Sequence, residues 1–174
     1  MTDATSVGEH MVGESGDFTW CHNLIISDKD NSYCAEDCTS ETVAQGLGYS
    51  ILRDASTPLL KGLTWDNPDS LCIVNSFVAE GNLDQVTGNN SNCIRFNKYN
   101  RWVGEVDKFS VKDLKDMITQ ESVNQYTVQN VHNSGCAQII IVDYATGSVQ
   151  VAFTGESDVL DKPSFIHIGD YDFN

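Results

Sequence analysis

Positive charge is scarce in this chain. Ten lysines and arginines stand against 25 aspartates and glutamates, a formal net charge of −15, and only three residues are arginine: Arg53, Arg95 and Arg101. The acids are spread along the sequence rather than gathered in a tail, so the average surface repels phosphate and argues against nucleic acid and anionic membrane as partners. Long apolar runs are absent too. None approaches the roughly 18 consecutive residues that span a bilayer, and residues 1–16 lack the basic start and apolar centre of a secretory signal. There is no glycine-rich phosphate cradle and no Gly-x-Ser-x-Gly elbow, so nucleotide binding and serine-hydrolase chemistry of the elbow type have no motif to stand on. No cofactor is implied.

What is present is enough for a core. With 174 residues and 40% hydrophobic side chains, one α+β domain over residues 18–174 is expected, preceded by a polar, glycine-bearing disordered arm or expression scar over 1–17. Six cysteines (Cys21, Cys34, Cys38, Cys72, Cys93 and Cys136) can form three disulfides or none, and a chain of this size does not need them. Asn89-Asn90-Ser91 is the one acceptor triplet for N-glycosylation.

The stretch NLIISDKDNSYCAED reads as a hairpin, two apolar runs around an Asp-Lys-Asp-Asn turn. TVAQGLGYSILRDAS is expected to be a strand with an irregular start, because Gly46 and Gly48 weaken a helix. TPLLKGLTWDNPDS reads as surface loop anchored by Trp65, and LCIVNSFVAEG as a strand ending at Asn75 and Ser76. Phe96, Tyr99 and Val103 recur at helical spacing, with Gly104 as the stop. In FSVKDLKDMITQES, Ser110 and Asp113 form a capping pair ahead of the stripe Val111, Leu114, Met117 and Ile118. CAQIIIVDYATGSVQVAF reads as strand, turn, strand. Strands outnumber helices, which predicts a mostly antiparallel sheet with helices on one face.

Few chemical sites survive inspection. Asp28, Asp30 and Ser32 alternate like the start of a calcium loop, but Tyr33 stands at the sixth position and Thr39 at the twelfth, so a solvated turn is expected instead. Cys34, Cys38 and the Cys21-His22 pair lack the tight spacing of structural zinc motifs, and no metal site is predicted. Cys21 sits beside His22, yet adjacent strand residues point to opposite faces and do not make a dyad. His132 and His167 are isolated in the sequence. Two residues remain. A strand-end carboxamide, Asn75, can donate to a developing oxyanion, and a fixed guanidinium, Arg95, can grip a carboxylate or hold a loop.

In order along the chain, NLIISDKDNSYCAED, LCIVNSF and SNCIRFNKY, followed by the helix at 110–121 and the strand pair IIIVDYATGSVQVAF, resemble segments of the N-terminal nucleophile (Ntn) amidases of the penicillin acyltransferase, choloylglycine hydrolase and acid ceramidase group. The resemblance covers about residues 18–153 through short, degenerate motifs. It implies part of an αββα sandwich and an amidase or acyltransferase acting on non-peptide C–N bonds. Asn75 then matches the oxyanion-stabilising asparagine and Arg95 the arginine that orients the site or the substrate. The family's nucleophile is an N-terminal cysteine followed closely by an arginine and an aspartate. Cys21 would serve only if cleavage after Trp20 exposed it, with Arg53 the first arginine downstream, and Thr2 would serve only from an unpromising polar stretch. The resemblance therefore implies a C-terminal portion or shortened relative, inactive alone. Its partners would be a small amide substrate and a missing N-terminal segment or subunit, or else it self-associates over an uncovered sheet face. The alternative is a small acidic binding or protein-interaction module with no catalytic activity.

Overall fold

The computed structural model describes residues 3–17, 22–82, 90–106, 108–120, 138–153 and 163–172. Among them the protein is mixed α+β, with two small antiparallel three-stranded sheets and four α-helices. The chain divides into two compact units, residues 1–105 and 106–174, where composition had suggested one domain.

In the first unit, β1 (His22–Ser27) and β2 (Ser32–Asp37) form the expected hairpin, in register from His22 opposite Asp37 to Ser27 opposite Ser32. Its turn is closed by Asp28, whose Oδ1 accepts from the backbone N–H of Asp30 and Asn31, each at 2.8 Å. The carboxylate is thus used on backbone, as an Asx turn requires. The stretch expected as a frayed arm is instead a helix, α1 (Ala4–Gly13), capped by Asp3. Three contacts outside its own sequence hold it: Asp28 Oδ2 accepts from Ala4 N at 2.8 Å, Thr5 Oγ1 meets the Tyr33 hydroxyl at 3.0 Å, and Gly8 lies against Leu52, where a Cβ would come within 2.5 Å of Leu52 Cδ1.

The stretch expected as an irregular strand splits into a short helix, α2 (Ser40–Ala44), capped by Thr39, and β3 (Ile51–Arg53), which pairs with β2. The alternation of β2 therefore decides two faces. Tyr33 and Ala35, with Leu52 across the ladder, turn towards α1, while Cys34 and Glu36, with Arg53 across it, turn the other way. Against that second face lies the segment 72–82, and behind it α3 (Asn90–Gly104). A core of Leu63, Cys72, Val74, Val78 and Phe96 joins segment and helix, with Trp65 and Tyr99 packed on it. Trp65 is the anchor its position suggested: its ring tilts onto Phe96 with centroids 5.5 Å apart, and its Nε1 donates to the Asn67 and Ser70 carbonyls.

The second unit holds α4 (Val111–Gln120) and a sheet in the order β4 (Gln138–Asp143), β5 (Ser148–Phe153), β6 (Ile166–Asp170). The capping box forms as read, Asp113 N donating to Ser110 Oγ at 3.1 Å and Ser110 N to Asp113 Oδ2 at 2.9 Å. The β4–β5 turn needs Gly147, which adopts φ +74° beside the Tyr171 carbonyl, a place no side chain fits. Strand β6 has no counterpart in the sequence reading. It pairs with β5 through an irregularity at Val149/Gln150.

Candidate functional site around Asn75 and Arg95

The run LCIVNSFVAEG was expected to be a strand. It is extended but joins no ladder; within it only an isolated bridge, Val74 to Ser76, forms, and Ala79 bridges to Leu59. Residues 58–60 pair with part of its backbone, Leu60 N donating to the Val78 carbonyl and Glu80 N to the Pro58 carbonyl, each at 2.9 Å, and side chains from the sheet beneath satisfy more of it. Arg53 Nη2 donates to the Cys72 carbonyl at 2.7 Å and Asn23 Nδ2 to the Val74 carbonyl at 3.1 Å. Glu36 takes the N–H of Val78 at 3.0 Å and of Ala79 at 3.1 Å. Buried backbone must be paired, and here side chains of β1, β2 and β3 supply partners beyond those given by the short bridge to residues 58–60.

Glu36 is the centre of this support. It is fully buried and accepts four bonds, the two backbone ones together with Arg53 Nε at 2.9 Å and Asn82 Nδ2 at 3.0 Å. Arg53, 3% exposed, is its ion-pair partner. A buried carboxylate is tolerable only when paired and hydrogen-bonded in this way. The consequence is positional: residues on both sides of Asn75, at 72 and at 78–79, are tied to one buried charge pair.

Between those ties the chain alternates, Val74 and Ser76 inward and Asn75 outward. Helix α3 then meets both polar residues with one face. Arg95 and Asn92, three apart, sit side by side. Arg95 Nη2 donates to Asn75 Oδ1 at 3.0 Å and also to Asn92 Oδ1, while Asn92 Nδ2 donates to Ser76 Oγ. A guanidinium cannot accept. The oxygen of Asn75 must therefore face Arg95, which turns its Nδ2 donors away towards solvent, where they make no hydrogen bond with the described residues. The two residues singled out from the sequence thus converge, and the geometry fixes which end of the carboxamide is presented.

The described thiols are not poised to attack. Burial pushes Cys34 up to about 11 and Cys72 up to about 12, against the opposing pull of Arg53 in each case, so both are neutral at pH 7. Cys38 is buried, and Cys93 accepts from Asn97 Nδ2 at 3.6 Å. None of the four is disulfide-bonded. Cys21, Cys136, His132 and Thr2 lie outside the described residues. Among the described residues no three His, Cys, Asp or Glu side chains gather to hold a metal, and no helix is long and apolar enough to cross a membrane.

His167, isolated in sequence, has neighbours in space: its Nδ1 lies 3.2 Å from Ser148 Oγ and its Nε2 3.3 Å from Asp170 Oδ1. The order resembles a catalytic triad, but His167 is 50% and Asp170 72% exposed, so water competes for every bond and the group is weakly held.

Sequence reading missed Glu36, Arg53, Asn92 and Asn23. The available signal was an acid inside an otherwise apolar strand, YCAED, in a chain with only three arginines, one of them also on a strand. No family model matches the chain, and no curated protein or solved structure is significantly similar to it.

Proposed function

We propose that this chain is a C-terminal portion or shortened relative of an Ntn-type amidase or acyltransferase acting on non-peptide C–N bonds, one part of an αββα sandwich. In that role Asn75 supplies an oxyanion donor and Arg95 acts as its positioning residue. One observation carries the reading, the bond from Arg95 Nη2 to Asn75 Oδ1. A donor aimed before the reaction at the place where negative charge develops is the form that electrostatic catalysis of acyl transfer takes. Segment 72–82, tied to Glu36 and Arg53, gives that donor a rigid mount.

The attacking group belongs to a different part of the machinery. With Cys34 and Cys72 held protonated, neither supplies a thiolate, and the described residues alone are catalytically silent. In the complete reaction a cysteine thiol, its proton taken by its own N-terminal amine, adds to the amide carbonyl, the oxyanion accepts from Asn75 Nδ2, and the C–N bond breaks as that amine passes the proton to the leaving nitrogen. Water or an acceptor amine then releases the acyl group.

The same bond admits a second reading, a small acidic binding module in which Arg95 merely staples α3 to segment 72–82. Titrating the protein with phenylacetate, a carboxylate like those released by such enzymes, separates the two. The amidase reading expects the Asn75 side-chain NH2 resonances to shift saturably, and Arg95→Ala to abolish the shift. Unmoved Asn75 resonances at millimolar ligand sink it, and acyl adducts on the isolated chain after exposure to an activated amide sink the claim of silence.

A further inference from the structure

The sheet of the second unit has two unlike faces. Ladder partners share a face, so Ile139, Ile141, Gln150 and Ala152 lie together. This face is covered: Ile141 and Ala152 are buried, and Lys115 of α4 hydrogen-bonds Gln150 and reaches the Phe165 ring, 4.9 Å from its centroid. The other face carries Ile140, Val142, Phe153, Ile166 and Tyr171, each between 41% and 63% exposed, while Ile168 falls at the bulge of β6 and has no ladder partner. In the register, Ile140, Val151 and Ile166 form one row across it.

An antiparallel sheet with one covered face normally turns a polar face to water. This one turns a mainly apolar face, interrupted by the carboxamide of Gln138 and without a charged side chain among the described residues of its rows. Its exposed apolar surface, on the order of 600 Å² by residue type and exposure, exceeds or equals the largest patch of a typical monomer. It also approaches the roughly 800 Å² per partner of a standard interface.

We propose that this face docks a second copy of the same chain, sheet against sheet, making a two-fold dimer in which each sheet lies between its partner sheet and its own α4. Charge selects the occupant and its orientation. Each chain carries −15, so two copies meet only where neither presents charge, and the face is such a place. The acids of the sheet, Asp143, Asp170 and Asp172, gather at one end, where β4 and β6 finish and β5 begins. A two-fold axis across the strands sends those ends to opposite extremities of the dimer, whereas an axis along the strands would bring them together. Twisted sheets stacked in this way pack about 10 Å apart with their strands near alignment. The amidase reading also allows self-association over an uncovered sheet face, but the dimer rests on this face and its test leaves Asn75 and Arg95 untouched.

Sedimentation equilibrium of the full chain in reducing buffer tests it. The expected result is a mass rising with concentration from 19.2 kDa towards twice that value, association strengthening as salt screens the net charge, and Ile140→Glu/Ile166→Glu weakening it at least tenfold with an unchanged far-UV spectrum. Should that variant fail to fold, Val142→Thr/Phe153→Ser, on exposed positions of the same face, is expected to weaken the dimer in the same sense. A chain monomeric at every concentration, a dimer indifferent to the folded face variants, or one that dissociates as salt rises would overturn the proposal.

Discussion

At the residue scale the buried pair Glu36–Arg53 decides more than stability. Replacing a buried ion pair by apolar groups of similar volume is often near neutral, whereas removing one partner leaves an uncompensated charge and costs about 3–5 kcal/mol. Arg53→Met should therefore destabilise the protein by about that amount in urea unfolding, since it leaves the buried Glu36 with only neutral donors around it. The double variant Glu36→Met/Arg53→Met should recover roughly 1–3 kcal/mol of the loss relative to additivity. What the double variant cannot restore is the pinning of segment 72–82: the amides of Val78 and Ala79, which donate to Glu36, should exchange faster with solvent even where global stability is regained. Additive losses in the cycle, or unchanged exchange at these two amides, would show that the pair does not mount Asn75.

At the scale of elements, α1 depends on a group that is not in it. Asp28 accepts the N–H of Ala4 as well as those of Asp30 and Asn31, and these bonds, that of Ala4 first, hold its carboxyl below the usual range. A depressed carboxylate contributes stability that is complete above its unfolded value near 3.8 and is lost as pH falls through the folded value. Protection of the α1 amides should fall below about pH 4, before the hairpin opens, and Asp28→Ala should show the same loss at neutral pH. Unchanged α1 protection in that variant would mean that Tyr33 and Leu52 suffice. This dependence also explains what the sequence concealed. The hairpin, α3, α4 and the β4–β5 pair were legible because turn residues, capping pairs and apolar spacing are local signals. Helix α1 was not, since its partners Asp28, Tyr33 and Leu52 lie 24 or more positions away. Nor was the true state of residues 72–82, whose apolar run matches a strand but whose hydrogen bonds end on the side chains of Asn23, Glu36 and Arg53 and on the backbone of residues 58–60. The meeting of Asn75 with Arg95 was expected from the family resemblance, while residue chemistry alone offered each only as an isolated polar group. An ion pair across a ladder, such as Glu36 with Arg53, has no spacing that betrays it.

At the scale of the whole molecule the dominant fact is charge. Surface ion pairs do little to offset it: Lys112–Asp116 and Arg101–Glu105 are i,i+4 pairs on open helix surface, a class that contributes only tenths of a kcal/mol. The folded state therefore carries a repulsion that the expanded chain relieves by spreading its acids apart. Salt acts on that repulsion directly, because the screening length falls from about 30 Å at 0.01 M to about 3 Å at 1 M. The buried pair of Glu36 and Arg53 is out of its reach. Raising NaCl from about 10 mM to about 0.5 M should thus raise the thermal midpoint, by roughly 2–4 °C for each kcal/mol of repulsion removed in a chain of this size. Because salt also favours the proposed dimer, the comparison belongs on the Ile140→Glu/Ile166→Glu variant at low micromolar concentration, where only intramolecular repulsion is left to screen. A midpoint that stays level or falls there would mean that exposed ion pairs outweigh the net charge, and that the acids of this chain are arranged rather than merely abundant.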